Sequence, residues 1–182
     1  MFKVADRVVY PGHGVAVIED ILIKSVAGTE MQFFKLVFLY KDMSIMVPLN
    51  GIESSRVRDL SSLQEIESAL YELSRLPERK LESLDFTPSG WNKRHRDYLL
   101  RIQDGSFLEI SKIYRDLMHV SRQKELSFGE KTLLQTTEDL LTQELHVVQG
   151  RSREEIIEEL RSSFRSFFPL GEPVHHVPAS AI

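Results

Sequence analysis

Up to about residue 60 the apolar residues fall in short runs broken by turn signals; beyond it they recur every three or four positions. In the first part, "DRVVY" is β-branched and aromatic, a strand composition. In "PGHG", Pro11 presets φ at the second position of a turn and Gly12 supplies a positive φ at the third, which predicts a type II turn. "VAVIEDILIKSV" carries Val15 and Val17, then Ile21 and Ile23, on alternate positions. "AGTE" predicts a hairpin around Gly28, "MQFFKLVFLY" a strand, "KDM" a turn, and "SIMVP" a short strand closed by Pro48. Four or five strands at this spacing predict a small antiparallel barrel or strongly bent sheet.

The period then becomes helical. Leu63, Ile66, Leu70 and Leu73 share one face, with Ser61 or Ser62 as the N-cap, Glu65 nearby and Pro77 as the stop. "TPSG" at 87–90 reads as a loop, after which Trp91, His95, Tyr98 and Ile102 fall on one helical face as far as Asp104-Gly105. Phe107, Ile110, Tyr114 and Leu117 mark the next helix. "SFGE" and "SREE" are capping boxes opening two more, the first carrying Leu133, Leu134, Leu140, Leu141, Leu145 and Val148 to Gly150, the second running to about Phe164. The expected fold is α+β in two modules: an antiparallel β module over residues 1–60 and an all-α module over 61–164. The tail, 165–182, has three prolines and no period and is expected to be disordered.

Composition narrows the function classes. The chain has 182 residues, of which 42% are hydrophobic and 27% charged, and it has no cysteine. Disulfides, cysteine–zinc sites and thiol catalysis are therefore excluded. No apolar run approaches a membrane span, and "MFKVADRVVY" carries no signal-like region, so a cytoplasmic location with no membrane partner is expected. The net charge is -4, but it is unevenly spread. Between residues 91 and 131, Lys93, Arg94, Arg96, Arg101, Lys112, Arg115, Arg122, Lys124 and Lys131 outnumber six acids. This island is either a solvated helix face with pairs such as Lys93–Asp97 or an electrostatic footprint for a polyanion.

Catalytic signatures are missing. No phosphate loop, dinucleotide fingerprint, zinc-protease or nucleophile-elbow motif occurs; "FGEKT" is better read as a helix start. His13 sits in a tight turn, His175-His176 reads as solvated, and the carboxylates at 154, 155, 158 and 159 read as solubilising charge. No enzyme, metal, cofactor or small-molecule substrate is expected.

Two stretches carry a family resemblance. "FKVADRVVYPGHGVAVIEDI" resembles the start of the CarD family of bacterial RNA-polymerase-binding proteins, and "WNKRHRDYLLRIQDGSFLEISKIYRDL" with "KELSFGEKTLLQTTEDLL" resembles its helical half, in the same order. The likeness spans roughly residues 2–164, and the helical stretches are the more specific, because a similar β module occurs in the transcription–repair coupling helicase. It implies a Tudor-like β module that pairs a strand edge with the β subunit lobe of RNA polymerase. It also implies a helical module lying on promoter DNA at the upstream edge of the bubble in the sigma-containing holoenzyme. The expected effect is on open-complex formation and lifetime, with little reading of base sequence.

By that resemblance Trp91 is a minor-groove wedge, Lys93, Arg94 and Arg96 are phosphate contacts, and Lys131 is a further basic position near DNA. Lys24 stands at a polymerase-contacting position, and Met46 at one that is basic in some members but apolar here. Without the resemblance, Trp91 reads as the head of a core stripe; with it, the wedge is favoured, and one ring edge packed with the other presented is a mixed solution. A rival reading is a protein-interaction adaptor on RNA polymerase that makes no DNA contact.

Overall fold

The computed structural model describes residues 2–52, 54–75 and 87–163. The expected stop at Pro77, the helix end at Phe164 and the tail at 165–182 lie outside the described residues.

Five strands form one antiparallel sheet: β1 (Arg7–Tyr10), β2 (Gly14–Val26), β3 (Thr29–Phe38), β4 (Ser44–Pro48) and β5 (Arg58–Asp59), in the order β4-β3-β2-β1-β5. The turn from β1 to β2 is the one its sequence predicts. The Tyr10 carbonyl accepts from the His13 N–H at 3.0 Å, and Gly12 has φ 74°. Between β2 and β3, Ala27 and Gly28 both take positive φ, 52° and 81°, which matches the right-handed twist of the hairpin. A short 3₁₀ turn, Leu49–Gly51, packs against this module's core.

The alternation along β2 is not continuous. The pairing shifts between Ile18↔Leu36 and Asp20↔Lys35, so Glu19 is an extra residue and the faces exchange. Ala16 and Ile18 enter the core with Val8, Phe34, Leu36, Phe38, Val47 and Val57. Val17 points away from that core, whereas Ile21, opposite Phe34, is on its side. Val9 and Val15 pair on the opposite face and are buried as well. The helical module reaches this face, where the Val15 N–H donates to Gln143 Oε1 at 3.2 Å. A period-two pattern fails where both faces are covered.

The helices are α1 (Leu63–Leu73), α2 (Pro88–Asp104), α3 (Phe107–Gln123), α4 (Phe128–Gln149) and α5 (Arg153–Ser162). Ser62, Ser127 and Ser152 each form reciprocal capping boxes with a glutamate three residues on. Gly105 and Gly150 end α2 and α4 in the left-handed conformation, φ 75° and 69°. The expected loop at 87–90 is corrected. Thr87 is an N-cap whose hydroxyl accepts from the Gly90 N–H, and Pro88 opens α2. Proline and glycine there suggested a loop, but proline in a first turn lacks only an N–H that has no helical partner anyway.

The helical core gathers Ile66, Leu73, Tyr98, Ile102, Ile113, Tyr114, Leu117, Leu141 and Ile156. Inside it, Tyr114 donates to Glu138, and Arg161 binds the same carboxylate at 2.7 and 2.9 Å, tying α3, α4 and α5 together. Burial and the adjacent Glu138 charge hold the Tyr114 hydroxyl well above the usual phenol range.

The modules meet through buried polar contacts. Arg58 makes two 2.8 Å bonds to the Glu144 carboxylate, and its Nε donates to the Gly105 carbonyl. The Ser61 N–H also donates to Glu144. The β1–β2 turn sits against Gly105, where a Cβ would come 2.8 Å from the Pro11 ring. Among the described residues no helix is long and apolar enough to cross a membrane.

Candidate functional site

Trp91 stands in the first turn of α2, where its N–H donates to the Thr87 carbonyl at 2.9 Å. The indole is half-buried and packs against the helical core. One edge lies on the start of α4, so close that a Cβ at Gly129 would be 3.3 Å from Trp91 Cζ2. The His95 ring is 5.1 Å away, and the Arg94 guanidinium is 5.9 Å from the indole centroid, within cation–π reach. Trp91 is thus packed on the helical core, Gly129 and His95 and stays partly exposed.

The basic residues around it divide into two kinds. Lys93 and Arg96 are exposed. Arg94 is only 10% exposed at its side chain and lies 3.8 Å from the buried Glu130 carboxylate. Burial alone would raise the Glu130 pKa. Its bonds to Lys124 at 2.6 Å and to the Ser127 N–H and hydroxyl outweigh that and hold it below the ordinary carboxylate range. Arg94 therefore braces α2 against α4 from a mostly covered position. Lys131, one turn into α4, pairs with Glu125 at 2.9 Å, but both groups are well exposed. Such a pair is worth little in water and is open to exchange for another anion. The expected Lys93–Asp97 pair is replaced by Arg101–Asp97 at 3.6 Å.

Sequence reasoning passed over Phe128. It begins α4 and is 85% exposed. Its signal was an aromatic inside the "SFGE" capping box, off the apolar stripe that starts at Leu133.

On the β module, Lys24 and Met46 share the face turned away from the core. Lys24 pairs with Met31, Met46 with Lys35, and Lys35 with Asp20, which is four residues from Lys24 on β2. At about 3.3 Å per residue they are roughly 13 Å apart along the strand direction. Half-buried Leu22, Phe33 and Met31 lie between them on this face. β4 is an edge strand with one side unpaired in the sheet. His13 packs within its turn against Tyr10 and Phe38, at 5.3 and 5.7 Å, so it serves the hairpin. Burial and the nearby Lys41 charge lower its pKa. Among the described residues no group of three or more metal-ligating side chains converges.

Two family models match the chain: the CarD-like/TRCF RID domain over residues 2–61 and the CarD C-terminal domain over residues 79–161. The chain is also similar to a Bacillus subtilis (strain 168) protein named "Putative transcription factor YdeB". The two are 28% identical over 156 residues, covering 86% of this chain and 97% of the relative.

Proposed function

The chain belongs to the CarD family, and from that premise we propose that it is a transcription regulator bridging RNA polymerase and promoter DNA. The β module, residues 1–60, docks on the β subunit lobe through the open edge of β4, with Lys24 and Met46 on the adjoining face. Main-chain bonds along an added strand provide affinity, and side chains set the register. Met46, 47% exposed, contributes packing where a basic residue would contribute charge. The helical module, residues 61–164, meets duplex DNA at the upstream edge of the bubble in the sigma-containing holoenzyme.

The observation that carries the reading is the setting of Trp91. A half-buried indole, seated on Gly129, heads a helix whose Lys93 and Arg96 are exposed. A seated ring can enter a base step without first being ordered, and unstacking that step costs about a few kcal/mol. Lys93, Arg96 and Lys131 meet phosphates and set position, and Arg94 holds the indole and α4 in place behind them. Because the remainder of the chain is acidic, binding to free duplex is weak and salt-sensitive, and location comes from the polymerase.

The test is the lifetime of promoter open complexes formed by bacterial RNA polymerase alone, with this protein, and with its Trp91→Ala variant. The protein lengthens the lifetime and a folded variant does not. An unchanged effect in the variant, or in a Lys93→Glu/Arg96→Glu double variant, would instead favour an adaptor without DNA contact.

A further inference from the structure

We propose that Phe128 is a second apolar contact to promoter DNA, working beside Trp91 at the same junction of α2 and α4. This inference rests on the bridging reading above. Phe128 is the most exposed large hydrophobic side chain among the described residues. Helix formation does not ask for it. Ser127 and Glu130 supply the cap of α4, and the position between cap and second turn accepts almost any residue. Nor does the core, whose α4 contribution begins at Leu133. Leaving a phenyl ring in water forgoes the stabilisation of burying it, and among the described residues none packs on it in the helical core.

Its position supplies a reason for it. The next residue, Gly129, faces the Trp91 indole, where an added Cβ would come 3.3 Å from the ring and crowd it. Two aromatic side chains therefore leave one helix junction. Lys93 and Arg96 are exposed on the same helix as Trp91, and Lys131 is exposed one turn after Phe128 on α4. Glu125 is paired with Lys131 and Asp97 with Arg101, while Glu130 is buried against Lys124 and Arg94.

This chemistry selects the occupant. Protein–protein interface cores are poor in lysine. An opened base step offers flat faces to aromatic rings while its phosphates meet the surrounding cations. Trp91 enters the step, and Phe128 covers the neighbouring sugar or base face, closing the gap to water.

The experiment uses the full chain in complex with RNA polymerase holoenzyme on promoter DNA. With p-benzoylphenylalanine at position 128, irradiation should cross-link the protein to DNA at the upstream bubble edge. In the lifetime assay Phe128→Ala should shorten the open-complex lifetime by about threefold to tenfold relative to wild type, the scale of a partly stacked ring. Phe128→Trp should retain it, and the melting temperature of both should stay near wild type because the site is exposed. If wild type and Trp91→Ala behave as expected but Phe128→Ala matches wild type, or the cross-link falls on a polymerase subunit or a second copy of this chain, the Phe128 assignment is overturned alone. If wild type does not lengthen the lifetime, the bridging reading is overturned and this inference with it.

Discussion

His119, inside α3, is enclosed by the helical core, and its pKa is lowered to about 4 by burial and by the Arg115 and Arg122 charges. In the unfolded chain it titrates near 6.5. As the pH falls below that value the unfolded chain binds the proton first. Stability present above pH 6.5 is therefore lost between 6.5 and about 4, by roughly 3 kcal/mol if the whole window is crossed. Thermal melts at pH 7.5 and pH 5 should show a clear drop in wild type and a smaller one in His119→Gln. Trp91 offers a second residue-level check, because it is the chain's one tryptophan and its fluorescence has no competitor. Gly129→Ala places a methyl 3.3 Å from the indole, so the ring should lift and its emission shift to the red. A spectrum unchanged from wild type would mean the indole is not seated on Gly129. The stripe Trp91–His95–Tyr98–Ile102 was legible from spacing, yet it grades from half-buried to buried along the helix. Spacing tells which face a residue is on, not where the neighbouring helix begins.

For single elements, the signals that survived were those of backbone chemistry. Turn and cap residues act within a few positions, so the Pro11-Gly12 turn, the serine caps and the terminal glycines are as their residue types require. The alternation along β2 did not survive, because a bulge at Glu19 and a second covered face are decided by pairing partners. Gly14 shows the same division. Its φ of 103° asks for glycine locally, and a Cβ there would also overlap the Gln143 amide of α4. Gly28, with φ 81° and open space around it, meets only the first demand. Gly14→Ala should therefore cost more than Gly28→Ala, by about 1–3 kcal/mol beyond the shared backbone strain of about 1–3 kcal/mol. Urea titrations of the two variants measure the difference; equal losses would mean that Gln143 gives way.

Across the whole molecule the join between sheet and helices decides how the two proposed contacts are held relative to one another. Glu144, 2% exposed, receives both Arg58 nitrogens and the Ser61 N–H, and Gln143 receives Val15. Removing one partner of a buried pair strands the other charge, which costs about 3–5 kcal/mol when both are fully buried and less here, where Arg58 is 24% exposed. Calorimetry should show one unfolding transition in wild type. In Glu144→Gln the transition should fall by several degrees and broaden or split as the modules uncouple. The same variant should weaken open-complex stabilisation even though it touches neither Trp91 nor β4, because a loosened join lets the helical module wander from the DNA.

Element type, most element ends, the change from strands to helices near residue 60 and the basic island around Trp91 are properties of the sequence itself, because each depends on residues within a turn or two of one another. Tertiary structure alone decided which face of β2 is inside, and that Arg94 is committed to Glu130 while Lys93 and Arg96 are exposed. It also set Gly129 against the indole and sealed the modules through Arg58 and Glu144. Each of these joins residues dozens of positions apart, or depends on what lies across from a helix face, and local pattern carries no term for either.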